Sequence, residues 1–248
     1  MTAAFQTVDG IVVPAVTAPQ MSEVDRVAVE ETGPNLFQMM ENAGRSLAET
    51  AIEMLGARSQ LSRILLLAGK GGNGGGGICA ARHLANRGIH VAVCLAEPLA
   101  LSETAKWQYR VFSATPGRTV SAAHVGGESF DLIIDTLIGY SLAGAPLGIY
   151  AELIDWANAT GARLLALDIP SGLDSTTGTA DGPVIRADVT MTLALPKTAW
   201  HPGKPETSCW QISAFRSRPI GVSISPIFLP SLAATWCHST SRTEPRDD

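Results

Sequence analysis

The chain has 248 residues, 46% hydrophobic and 17% charged, enough apolar content to bury a full core within one domain. A formal net charge of −5 and a pI near 5.5 exclude nucleic acid, or an anionic membrane, as a partner held by bulk electrostatics. Cys79, Cys94, Cys209 and Cys237 show no C-x-x-C spacing, which argues against a zinc or disulfide framework and for reduced thiols in the cytoplasm. No apolar run approaches the ~20 residues of a membrane span. The first residues lack the basic-then-apolar pattern of a signal peptide.

In chain order, a loose lead is expected up to about residue 18, since chain ends commonly fray. Ser22 is expected to cap a first helix over Val24–Glu31, stopped by Gly33-Pro34. Asn35 is placed to cap a second helix, in which Leu36, Met39, Met40, Ala43, Leu47, Ala51 and Met54 recur at helical spacing up to Gly56. From Arg63 the pattern alternates. Strands are expected at Ile64–Ala68, Ile89–Leu95, Leu132–Asp135, Leu164–Asp168 and Val189–Leu195, with helices at Gly77–Arg87, Ser102–Phe112 and Leu147–Thr160. The strands are continuous apolar runs, as in strands covered on both faces. Intervening helices supply right-handed crossovers, so the expected fold is α/β, a mostly parallel central sheet with helices on both sides.

Residues Gly69–Gly77 read GKGGNGGGG between the first of these strands and a helical pattern. Strand, glycine loop and helix form an arrangement whose backbone N–H groups can cradle phosphate. A G-x-G-x-x-G spacing at Gly69, Gly71 and Gly74 is weak alone, and a βα turn without a ligand fits the same residues. Two further segments follow strands, Asp135–Gly144 and Asp168–Asp174. In a parallel sheet, ligands sit beyond the carboxyl ends of the strands, so both aspartates are expected to converge with the glycine loop in one crevice. Either aspartate alone could equally cap its own turn.

The segments Met21–Asp25, Leu36–Gly44, the glycine loop with Ala80–Leu84, Asp131–Asp135, Gly139, Ala166–Ser175, Ala187–Thr190 and Pro196-Lys197 together resemble the NAD(P)H-hydrate epimerases, the YjeF N-terminal domain family. The likeness runs in order from Met21 to Pro205. It implies a Rossmann-like three-layer αβα sandwich and an isomerase of cofactor repair. Such an enzyme interconverts the R and S epimers of hydrated NADH or NADPH, so that an S-specific dehydratase can restore the cofactor. Epimerisation at C6 breaks the C–O bond, leaves a cation delocalised toward N1, and adds water on the other face. A carboxyl group can protonate the leaving hydroxyl, and a carboxylate can stabilise the cation.

Carried over position by position, the family's substrate-binding residues fall on Gly72, Asn73, Gly74, Gly75 and Gly76. They fall also on the segment Gly139, Tyr140, Ser141, Leu142, Ala143, Gly144 and Ala145, and on Asp168. Its potassium ligands fall on Asn73, Asp135 and Ser171, oxygen donors of the kind hard cations take. Asp168 is assigned the acid/base role and Asp135 the potassium ion. A homodimer is compatible with the resemblance.

The family's N-N-G-G-D is G-N-G-G-G here, so Gly72 and Gly76 lack an amide and a carboxylate. Each lost polar contact weakens binding by about 1–3 kcal/mol if its partner stays buried. A catalytically impaired dinucleotide-binding or scaffold protein of the same fold is therefore the alternative reading. A nicotinamide dehydrogenase would want an acidic residue at the end of the second strand, where Glu97 is the local candidate, and no hydride-transfer constellation follows it.

The likeness ends after Pro205. With permitted codons read one base earlier, Ser208–Arg216 encodes E-L-L-A-D-I-G-I-P, close to the segment with which the family continues. The chain therefore divides into an epimerase-like domain over 1–207 and a tail over 208–248, either frameshifted or divergent.

Overall fold

A computed structural model describes residues 4–6 and 12–200. The tail over 208–248 lies outside the described residues. Strand β1 (Ala4–Gln6) pairs antiparallel with β2 (Val12–Pro14). The expected loose lead is thus overturned for Val12–Val16. Val13, Ala15 and Val16 are buried, and Val16 forms a parallel bridge with Lys197.

Helix α1 (Ala18–Val27) starts earlier than the Ser22 cap predicted. Thr17 accepts a hydrogen bond from the Gln20 backbone, and the Gln20 side chain accepts one from the Thr17 backbone. This reciprocal box satisfies two N–H groups that Ser22 could not reach from inside the helix. The helix passes through a wider turn over Ala28–Thr32 and stops at Gly33, whose φ is 109°. Helix α2 (Leu36–Leu55) begins at Asn35 as expected, in a similar box with Gln38.

The main sheet contains β3 (Arg63–Ala68), β4 (His90–Leu95), β5 (Arg118–Thr119), β6 (Leu132–Thr136), β7 (Arg163–Leu167) and β8 (Val189–Met191). Its order is β5-β4-β3-β6-β7-β8, and every pairing is parallel. Between them run α3 (Gly72–Asn86), α4 (Glu103–Phe112) and α5 (Ile149–Ala159). Period-two alternation sends Ile64, Leu66 and Ala68 to one face with α2, α3 and α4. Leu65 and Leu67 go to the other face with Leu153, Ile154 and Ala157 of α5. Each fully buried leucine of this kind contributes roughly 1.5–3 kcal/mol by leaving water. The result is the three-layer αβα sandwich.

Two strands of the main sheet also differ from expectation. Strand β8 ends at Met191 rather than Leu195, because the Leu193 N–H donates to the Asp168 carboxylate and Ala194 turns into the left-handed region at φ 56°. Two-residue β5 carries too little pattern to be read from sequence. The strand order reverses between β3 and β6. Their carboxyl ends therefore open the crevice in which such sheets bind ligands.

Candidate functional site

The glycine run is mostly helix, not loop. Only Gly69, Lys70 and Gly71 link β3 to α3, which starts at Gly72 rather than Gly77. None of Gly72–Gly77 has a positive φ. These glycines serve close packing instead. A Cβ on Gly74 would lie 1.9 Å from the Gly69 carbonyl oxygen, and one on Gly77 would lie 2.2 Å from Thr136 Oγ1. Without Cβ atoms, the first turns of α3 sink against the ends of β3 and β6. A first helical turn leaves N–H groups without an intrahelical partner, and Gly72 and Asn73 of that turn line the crevice.

The crevice is a cavity of about 1190 Å³. Of the residues carried over as substrate contacts, Gly72, Asn73, Gly76, Gly139, Tyr140, Ser141, Leu142, Ala143, Ala145 and Asp168 line it. Gly74, Gly75 and Gly144 do not. Gly75 instead packs against Met40, which itself lines the wall. Glu97, at the end of β4, also borders the cavity. It is tied to Lys70 Nζ at 3.0 Å and accepts from Tyr150 Oη at 2.8 Å.

Asp135, the penultimate residue of β6, has no solvent exposure. Its Oδ1 accepts from Ser171 Oγ at 2.6 Å and from the Leu137 N–H at 3.1 Å, while Oδ2 accepts from the Ser171 N–H at 2.8 Å. The Ile138 N–H donates to Ser171 Oγ at 2.8 Å, which ties the loop after β6 to the one after β7. Burial pushes the Asp135 carboxyl up to about 6, against the lowering effect of these hydrogen bonds. Asp135 and Ser171 lie behind the cavity wall rather than on it. Asn73, in the first turn of α3, packs beside Gly139, and its Nδ2 is buried with no hydrogen-bond partner.

Asp168 follows β7 with φ 70°, an uncommon conformation for a non-glycine residue that aspartate tolerates better than most. Its N–H donates to the Met191 carbonyl at 2.7 Å, and its Oδ1 accepts from the Leu193 N–H at 3.1 Å. The same oxygen takes a charge-assisted hydrogen bond from Lys197 Nζ. Lys197 is fully buried and also donates to the Leu193 carbonyl at 2.9 Å and to Thr192 Oγ1 at 3.3 Å. The Leu-Pro-Lys setting of Lys197 carries no periodic signal by which the sequence alone could place it. The backbone of Lys197 is held by the edge of the N-terminal arm: the Val16 N–H donates to the Pro196 carbonyl, and the Thr198 N–H donates to the Val16 carbonyl, both at 2.9 Å.

Asp25 of α1 also lines the cavity, and its Oδ2 accepts from Tyr140 Oη at 2.7 Å.

Elsewhere, ligand atoms of Glu41, Cys79 and His83 gather within 4.8 Å. The Arg82 guanidinium donates to both Glu41 and Cys79 Sγ, and burial pushes the thiol up to about 12. With a fixed positive charge among the donors, this cluster is an ion-pair network rather than a cation site.

Residues 36–199 match the family described as YjeF-related protein N-terminus. The NAD(P)H-hydrate epimerase of Dehalogenimonas lykanthroporepellens is 49% identical over 198 residues, covering 80% of this chain and 81% of that one. The bifunctional NAD(P)H-hydrate repair enzyme Nnr of Moorella thermoacetica is 32% identical over 235 residues, 90% of this chain but 44% of that longer protein. The crystal structure of yeast YNL200c superposes with a TM-score of 0.68 at 23% identity, covering 75% of this chain and 82% of that one, which bears on the fold alone.

Proposed function

The chain belongs to the family of YjeF-related protein N-termini, and from that premise we propose that it is an NAD(P)H-hydrate epimerase. It would interconvert the R and S epimers of hydrated NADH or NADPH in the cytoplasm. The observation that carries this reading is the cavity at the switch point of the sheet, which the helix start at Gly72, the Gly139–Ala145 segment and Asp168 all line. Its volume suits a dinucleotide, above the 300–1,000 Å³ typical of smaller ligands. No helix among the described residues is long and apolar enough to cross a membrane. Both described cysteines are free and buried, in keeping with a reducing compartment.

In this reading, the first turn of α3 offers N–H groups to a phosphate, and the Gly139–Ala145 segment orients the ring end. Asp168 stands as a carboxylate where positive charge develops on the ring. The test is an epimerisation assay on the purified R hydrate, coupled to an S-specific dehydratase, with the uncatalysed rate subtracted. A catalysed rate indistinguishable from zero would favour the impaired scaffold that Gly72 and Gly76 suggest.

The residues fit a potassium ion. Asp135 is a fully buried carboxylate with no ion-pair partner among the described residues, and Ser171 and Asn73 add oxygen donors. Bound there, the ion would supply a fixed positive charge beneath the site. Because burial raises the folded-state value of Asp135, its contribution to stability is present at low pH and lost as pH rises through about 6. A cation on the ionised carboxylate offsets that loss. Exchanging choline chloride for potassium chloride at equal ionic strength is therefore expected to raise Tm more near pH 7.5 than near pH 5. Asp135→Asn should remove the difference. An equal response to sodium and choline salts, with no potassium increment, counts against the site.

The loop substitutions give a further expectation. A Cβ on Gly72 has nothing closer than Met40 Cε at 3.9 Å, and one on Gly76 meets Leu167 Cδ2 at 3.3 Å, which a small shift of that leucine relieves. Gly72→Asn with Gly76→Asp should tighten hydrate binding and add about 0.5–1 kcal/mol of stability per glycine replaced. Calorimetry showing equal or weaker affinity would mean that the present segment is not impaired.

A further inference from the structure

We propose that Asp25 is a second catalytic carboxyl, acting through its unbonded oxygen as proton donor to the departing hydroxyl while Asp168 serves the opposite face of the ring. The proposal rests on the epimerase reading and adds to it a residue to which the family resemblance gave no role.

The argument starts from the reaction. To invert C6, water must leave from one face of a planar cation and return to the other. A single carboxyl fixed on one wall reaches the hydroxyl on one face only. Five carboxyl residues line the cavity, Asp25, Glu49, Glu53, Glu97 and Asp168, and Glu97 is already held by Lys70 and Tyr150. Two of them, Asp25 on α1 and Asp168 at the end of β7, are close enough for the Asp168 charge to act on Asp25. Their surroundings differ in the sense that divides acid from base. Asp168 is paired with the ammonium of Lys197. Among the described residues, no cation forms an ion pair with Asp25. Its Oδ2 accepts from the Tyr140 hydroxyl, and no described residue donates to Oδ1.

The groups facing Asp25 are Tyr140 from the Gly139–Ala145 segment, Asp168 from the end of β7 and Lys197 beyond it. Burial and the Asp168 charge raise its carboxyl above the ordinary value. Tyr140 and the more distant Lys197 pull the other way. Arg26, its neighbour on α1, is engaged at the surface with Glu23, Glu30 and Glu31.

The step balances. The Asp25 carboxyl gives its proton to the C6 hydroxyl; the C–O bond breaks, and its electron pair leaves with water. The ring cation is held against the Asp168 carboxylate. Water adds from the other face, donating an electron pair to C6, and its surplus proton passes to Asp168. A protonated alcohol is far more acidic than any carboxyl, so even a carboxylate paired with an ammonium accepts it. In the reverse direction the two roles exchange, and exchange with solvent resets both groups.

The test compares Asp25→Asn, Tyr140→Phe and the unaltered enzyme by kcat, KM and the pH profile of kcat. Asp25→Asn should lower kcat about 100-fold or more with KM little changed. In the unaltered enzyme the rate should fall on the alkaline side as the Asp25 proton is lost, and Asp25→Asn should abolish that limb. Tyr140→Phe removes a hydrogen bond that favours the ionised carboxyl, so the alkaline limb should move to higher pH whatever happens to the maximal rate. A structural role for the Asp25–Tyr140 contact would not shift the limb. Unaltered kcat and profile in Asp25→Asn, beside an inactive Asp168→Asn, overturn this proposal and leave the epimerase reading standing. If Asp25→Asn does not fold, an unmoved limb in Tyr140→Phe overturns it alone. Absence of catalysis in the unaltered enzyme removes the epimerase reading itself, and the proposal with it.

Discussion

Asp168→Asn is expected to lower kcat for the R-to-S conversion by more than about 100-fold, because an amide neither accepts the proton of the incoming water nor stabilises the ring cation with a full charge. The variant should also be less stable, which the isolated sequence does not suggest. The Lys197 ammonium is fully buried, and loss of the carboxylate leaves it with Thr192 Oγ1 and the Leu193 carbonyl only. Breaking a buried pair by removing one partner typically destabilises by about 3–5 kcal/mol. Asparagine keeps the shape and tolerates the left-handed backbone at φ 70°, so no steric loss is added. Steady-state kinetics with thermal denaturation of the same preparation checks both halves. Near-normal turnover would move the acid/base chemistry away from Asp168.

Lys197→Met is the second large expected effect, and it falls first on stability. It strands the Asp168 carboxylate at 3% exposure with no cation, with a loss again of about 3–5 kcal/mol. For a domain of this size that corresponds to a fall in Tm on the order of 10 °C. The double variant Asp168→Asn, Lys197→Met removes both charges together. It should recover most of the stability while remaining inactive, since the two sites share one interaction and their effects cannot add. A Lys197→Met protein with an unchanged Tm would show that the pair contributes little to the fold.

How far the sequence foretold this molecule depends on the kind of signal. The apolar runs of β3, β4, β6 and β7 and the cap at Asn35 were legible, because periodicity and capping are local properties. The box Thr17-x-x-Gln20 was equally legible, yet Ser22 drew attention because Asp25 followed it in the right place for a first turn. The glycine run misled for a physical reason. Glycine permits flexible loops and also lets a helix start touch a strand end, and only the contacts of Gly74 and Gly77 separate the two. Strand ends and the family likeness single out Asp135, Asp168 and Ser171 as candidates. The same signals do not show the pairings of Lys197 with Asp168 and of Asp25 with Tyr140, since each depends on side chains distant in sequence meeting across the cavity.

The tie between Val16 and Lys197 sets when the enzyme can work. Every residue from Val16 to Lys197 must be made before the arm can close over the ammonium, whereas β3 through β6 can pair much earlier. Closing so long a loop is slow. The pairing that holds the ammonium is therefore completed after most of the sheet. A fully formed sheet is no guarantee of a competent site.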